Sequence, residues 1–469
     1  MDSLAIIVLA AGLGKRMGQG IPKVLHRSIE KTLIEHVLST ASSLKPEKIV
    51  VVTGFEREKV EAQILKAKEE GQFAKTEILF SYQQEQRGTG HAARCGLKEL
   101  RDFNGTILIL YGDVPLLRQE TLLALLKLHH SEVASLSLIS AISDTQRAYG
   151  RIIRDEKSGK ILKVIEARDC SPEQYLLREV NSGIYAVQSS FLPLALDSLQ
   201  DNNAQKEFYL TDIVAYAAGH GHKVAALTLF ETEELQGVNS VEELTLINNE
   251  ILKRRRGKLL ASGVQMLDPS SVYVDLNVLI ESGVVIGPNT QIRGKSVIKS
   301  GTIIEGCAYI ENSTIGPEAL IKIGVRIEGA VVGARSSVGP FANLRPEAVL
   351  GEDVRIGNFV EVKKSVLEDG VKASHLTYLG DAFVGADTNI GAGTITCNYD
   401  GQKKHKTTIE KNAFVGSDTV LVAPVTIREG AYIGAASVIT KEVPSGSLAL
   451  TRPPMIIKEG WVARKKKKL

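Results

Sequence analysis

Along the first 240 residues, short apolar runs alternate with segments whose apolar positions recur at helical spacing. Ala5-Ile6-Ile7-Val8-Leu9 contains no polar residue, which predicts a strand covered on both faces. Lys48 to Thr53 and Thr106 to Tyr111 repeat that signal, while Ile34 to Leu44 and Gln119 to Leu128 carry helical spacing. Such alternation predicts a largely parallel sheet with helices on both faces. Sheets of this kind bind ligands beyond the carboxyl ends of their strands.

A long helix is predicted from Ser240 to Ser262. Ser240 and Glu243 have the spacing of a capping box, and Gly263 is a natural stop. Its basic middle, Lys253 to Arg256, reads as a solvated face. The expected organisation is a domain over residues 1–239, a helical linker over 240–262 and a second domain over 263–469.

Beyond that helix the rhythm changes to six residues. Ile286, Ile292, Ile298, Ile304 and Ile310 form one run, and Val332, Val338, Leu344, Leu350, Ile356 and Val362 continue in a new phase. Val415, Leu421, Ile427, Ile433 and Ile439 form a third. A hexapeptide period fits neither an amphipathic helix nor a simple strand. It builds a parallel β-helix in which every sixth side chain points inward and stacks on the next coil. Between Ile390 and Ile409 the rhythm breaks at Gly391 to Gly401 and a basic stretch to Lys406, an ejected loop that serves either as a turn or as a wall for a site.

Composition narrows the function classes. The 469 residues carry a formal charge of only +3, so nothing global argues for nucleic acid. Arg464 to Lys468 read as a solvated tail. Cys95, Cys170, Cys307 and Cys397 lie far apart without a CxxC pair, which suits a reducing compartment. The apolar run Leu4 to Ala11 is too short for a signal core with its flanks or for a membrane span. The expectation is a cytoplasmic protein.

The first strand ends in Leu9-Ala10-Ala11-Gly12-Leu13-Gly14-Lys15-Arg16-Met17, with Pro22-Lys23 following. Glycines at 12 and 14 let backbone N–H groups approach a polyphosphate. Arg16 and Lys23 add positive charge where a leaving pyrophosphate builds negative charge. Met17 occupies the third-glycine position of a dinucleotide fingerprint, and the glycine and Lys-Ser/Thr of a P-loop are missing. A tight strand-to-helix turn would also account for the two glycines. Asp113, after Tyr111-Gly112, sits at the carboxyl edge of its strand. It reads either as a cap or turn aspartate or as a ligand of Mg²⁺, which takes one or two protein oxygens and completes its shell with phosphate and water.

In the repeat region, Arg345, Lys363-Lys364, His375 to Tyr378 and Asn398-Tyr399 interrupt a pattern that needs only aliphatic and small residues. A lone histidine is more often structural than catalytic. Here it falls near cationic and polar groups, and Arg345 with Lys363 suits a phosphate monoester.

The run Leu9 to Met17 with Pro22-Lys23, then Gln83, Gly88-Thr89-Gly90 and Tyr111-Gly112-Asp113, resembles the sugar nucleotidyltransferases. With the hexapeptide region added, Leu4 to about Trp461 is similar to the bifunctional bacterial N-acetylglucosamine-1-phosphate uridylyltransferase and glucosamine-1-phosphate acetyltransferase family. The resemblance implies a Rossmann-like mixed α/β sheet followed by a left-handed parallel β-helix. It also implies synthesis of UDP-N-acetylglucosamine for cell-wall and lipopolysaccharide precursors. Leu9, Ala10, Ala11, Gly12, Gln83, Gly88 and Thr89 would then hold the uridine nucleotide, with Tyr111 and Gly112 beside them. Gly150, Glu166 and Asn181 would line the sugar pocket, Asp113 and Asn239 would share Mg²⁺, and Arg16 and Lys23 would face the phosphates. Lys15 departs from the small hydroxyl residue usual in that family, at a position where backbone amides do most of the work.

By the same resemblance, His375 is the general base that takes a proton from the sugar amine as it attacks acetyl-CoA. Arg345, Lys363, Tyr378 and Asn389 would hold the acceptor sugar phosphate. Ala392, Asn398, Tyr399, Ser417, Ala435 and Arg452 would contact acetyl-CoA. A homotrimer with sites between subunits is implied, working on small molecules. Two rivals share parts of this pattern. A single-function sugar-1-phosphate nucleotidyltransferase with a structural or regulatory β-helix would not need the cluster from His375 to Tyr378. A non-catalytic scaffold would not need an intact phosphate loop, lysine and metal aspartate.

Overall fold

The computed structural model describes residues 3–12, 14, 17, 20–73, 75–143 and 149–466, and the chain divides into two compact units, 1–251 and 252–469. The strands of the first unit are β1 (Leu4–Leu9), the small hairpin β2 (Arg27–Ser28) and β3 (Lys31–Thr32), β4 (Lys48–Thr53), β5 (Glu77–Tyr82), β6 (Thr106–Tyr111), β7 (Leu136–Ile142), β8 (Arg151–Arg154), β9 (Ile161–Ile165), β10 (Glu179–Gln188) and β11 (Val224–Leu229). Their main sheet runs β11-β7-β10-β6-β1-β4-β5. It is parallel except for β10, which lies antiparallel to both of its neighbours. The β8–β9 hairpin joins the sheet by pairing Arg151 with Val180.

The unbroken apolar run of β1 follows from its central place. Ile6 and Val8 enter one core with Ile34, Leu38 and Ile49, while Ala5, Ile7 and Leu9 enter the other with Val50, Ala93 and Ile107. Helices α1 (Leu33–Ser43), α2 (Arg57–Glu69) and α4 (Gln119–Ser131) feed the first core, and α3 (Thr89–Leu97) feeds the second. Helix α1 begins at a capping box in which Thr32 and Glu35 satisfy each other's free backbone donors.

The long helix spans Val241–Ala261 and starts at the expected box, Glu243 N–H donating to Ser240 Oγ (3.1 Å) and Ser240 N–H to Glu243 (3.2 Å). Its first half belongs to the first unit, where Asn248 accepts from Ser28 Oγ at 2.6 Å and Ile247 is buried. Its second half belongs to the other unit, with Leu259 in the β-helix core. The basic middle is not simply solvated, as the sequence suggested. Arg255 donates to the Val278 carbonyl and Arg256 to the Val272 carbonyl (3.3 Å), so the guanidinium groups cover carbonyls near the first coil.

The second unit is the left-handed parallel β-helix of hexapeptide coils, whose short strands form three parallel sheets of 11, 10 and 9 strands among the described residues. Ile292, Ile310, Ile327, Leu344, Val362 and Leu379 are successive register partners and form one fully buried column. The changes of phase have a local cause. The corner after this column takes six residues at Ile292 to Ile298 and Leu344 to Leu350, but five at Ile310 to Ile315, Ile327 to Val332, Val362 to Leu367 and Leu379 to Val384. The shorter corners turn on left-handed residues, Asn312, Gly329, Lys364 and Asp381. Their loss of one residue shifts the sequence phase while the stack stays in register.

Candidate active sites

In the first unit, the loop after β1 emerges at the carboxyl edge of the sheet. Ala10 N–H donates to Val52 O (2.9 Å), and Gln86 donates its side-chain amide to Ala11 O (2.9 Å). Sequence reasoning missed Gln86, whose role depends on a contact across 75 residues. A Cβ on Gly12 would meet nothing within 4 Å among the described residues. A Cβ on Gly14, at φ 62°, would lie 2.7 Å from Lys23 Cβ, so the glycine lets the loop lie against the lysine. Arg16, expected on the phosphates, and Lys15 lie outside the described residues.

Gln83, buried, donates to Gly88 O at 3.1 Å. Gly88 adopts φ 101° ahead of α3, where a Cβ would approach Phe208 O to 2.6 Å, and Thr89 Oγ1 accepts from Leu210 N–H (3.1 Å). On the next strand Gly112 N–H returns to Leu9 O at 2.9 Å, fixing the approach to Asp113.

Lys23 Nζ donates both to Asp113 Oδ2 and, at 2.7 Å, to Asn239 Oδ1. Two hard oxygen donors from distant parts of the chain therefore converge on one cation. That arrangement fits a divalent ion that takes one or two protein oxygens and draws the rest from phosphate and water. Asp113 and Asn239 also border a cleft of about 680 Å³ lined by Tyr111, Gly150, Glu166 and Asn181. Asn181 donates to Tyr185 Oη at 2.8 Å, while its Oδ1 is buried and has no partner among the described residues. Glu166 accepts from Thr211 Oγ1 at 3.0 Å, and burial holds its carboxyl above the usual value. Thr211 is a second residue that sequence reasoning missed.

In the β-helix, Lys372 pairs with Asn389, Asn389 with Phe414 and Phe414 with Tyr432. Three residues further along the chain in each coil come His375, Ala392, Ser417 and Ala435. The hydrogen bonds continue this column: Gly393 N–H donates to His375 O (3.4 Å), Asp418 N–H to Ala392 O (2.7 Å) and Ala436 N–H to Ser417 O (2.7 Å). Small side chains thus line one corner directly above the histidine, and Arg452 reaches it, its guanidinium 3.7 Å from where a Gly434 Cβ would stand. The exposed His375 ring is hydrogen-bonded through Nδ1 to Asn358 Oδ1 at 2.6 Å.

Arg345 and Lys363 lie on the neighbouring sheet with Tyr378. Arg345 donates to Glu361 at 2.9 Å, and the adjacent cations Lys404 and Arg345 hold the Lys363 ammonium below its usual value. Asn398 approaches Tyr378 Oη to 3.5 Å and donates to Asp381 at 2.5 Å. Gly380 permits this meeting, since a Cβ there would fall 2.3 Å from Tyr378 Oη and 2.8 Å from Asn398 Nδ2. Tyr399 stands exposed on the ejected loop, which closes through a bridge between Tyr399 and Lys404. Among the described residues, no helix is long and apolar enough to cross a membrane.

The mixed sheet with a phosphate-loop edge, followed by a hexapeptide β-helix, defines a nucleotidyltransferase joined to a hexapeptide transferase. The MobA-like NTP transferase domain model matches residues 6–161, and the GMPPB C-terminal domain model matches 269–365. The chain is 44% identical over 468 residues to the "Bifunctional protein GlmU" of Pelobacter propionicus, covering all of both chains. The proteins of that name from Geotalea uraniireducens and Clostridium acetobutylicum are 42% and 40% identical, over 99% and 98% of this chain and 100% and 98% of theirs. The chain belongs to the bifunctional GlmU family. It is a bifunctional transferase acting on small molecules: it acetylates glucosamine-1-phosphate with acetyl-CoA, then transfers UMP from UTP to the product, giving UDP-N-acetylglucosamine and pyrophosphate. The family uses a divalent metal.

Proposed function

We propose that residues 1–239 carry uridylyl transfer, that 240–262 form the linking helix and that 263–469 carry acetyl transfer. In the first reaction Leu9, Ala10, Ala11, Gly12, Gln83, Gly88 and Thr89 hold the uridine nucleotide at the carboxyl edge. Gly150, Glu166 and Asn181 take the sugar, the unpartnered Asn181 Oδ1 being suited to a donor on it. The sugar phosphate oxygen attacks the α-phosphorus of UTP, and the bond to pyrophosphate breaks. Phosphoryl transfer of this kind needs positioning and charge neutralisation rather than a protein nucleophile. Lys23 and Arg16 supply positive charge to the phosphates. Asp113 and Asn239 would hold Mg²⁺, which when bound neutralises negative charge on the phosphates.

In the second reaction Arg345 and Lys363 bind the acceptor's phosphate, with Tyr378 and Asn389 beside the sugar. Acetyl-CoA runs along the column of Ala392, Ser417 and Ala435, flanked by Asn398, Tyr399 and Arg452. The amine attacks the thioester carbonyl, His375 takes the amine proton, and the C–S bond breaks to release CoA. The observation that carries this reading is the column itself. A β-helix serving only for assembly has no need of an imidazole in register beneath three small residues and an arginine.

A homotrimer working in the cytoplasm completes the proposal. Its support is apolar surface on the β-helix, where Phe341 and Phe359 stack at 5.8 Å while 52% and 57% exposed. Sedimentation at micromolar concentration tests the trimer, and a monomer would refute it. The chemical test is an assay with glucosamine-1-phosphate, acetyl-CoA, UTP and Mg²⁺, run on wild type, His375→Ala and Asp113→Asn. His375→Ala should lose CoA release yet make pyrophosphate from N-acetylglucosamine-1-phosphate, and Asp113→Asn should do the reverse. Loss of both activities in either variant, or of neither, would overturn the assignment.

A further inference from the structure

We propose that Asn358 is a positioning residue for acetyl transfer: its side-chain carbonyl fixes the His375 ring so that Nε2 faces the incoming amine with a free lone pair. The inference rests on His375 being the base. Asn358 and His375 are register partners on adjacent coils, so the two side chains share one column. An Oδ1 acceptor 2.6 Å from Nδ1 requires the proton on Nδ1, which leaves Nε2 unprotonated in the neutral ring. The histidine backbone is held from three directions. Leu376 N–H donates to Asn358 O (3.0 Å) from a left-handed turn at φ 48°. Thr377 Oγ1 donates to His375 O at 2.7 Å, and Gly393 N–H reaches the same carbonyl from the coil above. With the main chain fixed, the remaining freedom is rotation of an exposed ring, and Asn358 removes it.

A neutral amide orients the imidazole without stabilising the imidazolium as a carboxylate would. The ring's side-chain hydrogen bond is to the Asn358 amide, and the charged side chains on its own strand and the one below are Lys372 and Arg355. A base in this setting accepts the amine proton during C–N bond formation and gives it up readily as the thiolate leaves.

The test compares Asn358→Ala, Asn358→Asp and His375→Ala by steady-state kinetics across pH, with circular dichroism as the check on folding. Asn358→Ala should lower kcat for acetyl transfer roughly ten- to hundredfold, less than loss of the base itself, while both KM values stay within about twofold. Asn358→Asp should retain turnover and move the acid limb of the kcat profile to higher pH, since a carboxylate beside the ring favours its charged form. An inactive His375→Ala beside two Asn358 variants with wild-type kcat and an unmoved acid limb would overturn the positioning role alone. An active His375→Ala would overturn the underlying base assignment.

Discussion

Replacing Lys23 by methionine removes the ammonium that bridges Asp113 and Asn239 while keeping a side chain of similar length. If Asp113 and Asn239 hold the metal as proposed, that ammonium occupies their oxygens in the free protein, and a divalent ion arriving without nucleotide must displace it. Lys23 makes two hydrogen bonds there, one of them to a carboxylate, with side-chain exposures of 13% and 20% for the charged pair. A hydrogen bond to a charged group contributes about 1.5–3 kcal/mol, and partial exposure keeps the sum of the two near that range. Since 1.4 kcal/mol is a factor of ten, Lys23→Met should bind metal alone about ten- to hundredfold more tightly than wild type. The assay is titration of Mn²⁺ without nucleotide, following the free-ion signal by electron paramagnetic resonance. Adding Asp113→Asn to the variant should abolish the gain. If Lys23→Met binds Mn²⁺ no more tightly than wild type, the ammonium does not guard the metal position and the reasoning fails.

Three further outcomes follow from the geometry. Gly380→Ala should leave urea stability within about 1 kcal/mol, because the new Cβ meets movable side-chain ends, but should raise KM for the acetyl acceptor several-fold by parting Tyr378 from Asn398; an unchanged KM would remove that pair from the site. Ile327→Ala, in the middle of the buried column, should cost about 2–5 kcal/mol in urea unfolding of the β-helix without changing uridylyl transfer, and a loss below 1 kcal/mol would mean the stack closes over the gap. Burial, with neighbouring His130 adding to it, lowers the His129 pKa from 6.5 to about 4, so the folded state favours the neutral ring. Its stability is full above pH 6.5 and falls as the pH drops toward 4. Between pH 7.5 and 5 the loss is about 2 kcal/mol, and His129→Gln should flatten that slope in urea titrations at both pH values.

Much of this molecule is legible along the chain because its requirements are local and periodic. A strand buried on both faces, such as β1, must be apolar at every position, and a β-helix must present an aliphatic every sixth residue to its interior. The loop from Leu9 to Gly12 could be placed because a strand's end fixes where its loop emerges. Even Ser240 and Glu243 announced their helix, since a capping box is a three-residue contact.

What the chain could not disclose depends on contacts between distant segments. Asp113 and Asn239 stand 90 and 216 residues from the Lys23 that bridges them, and only the folded sheet brings the three together. The phase slip after Ile310 was visible as a break, but its meaning, a corner one residue shorter within an unbroken stack, required the register. Asn358 carried no signal at all. An asparagine at a turn satisfies the backbone's local preferences whether or not a histidine lies on the coil above, and only the 17-residue offset between those coils sets it against His375.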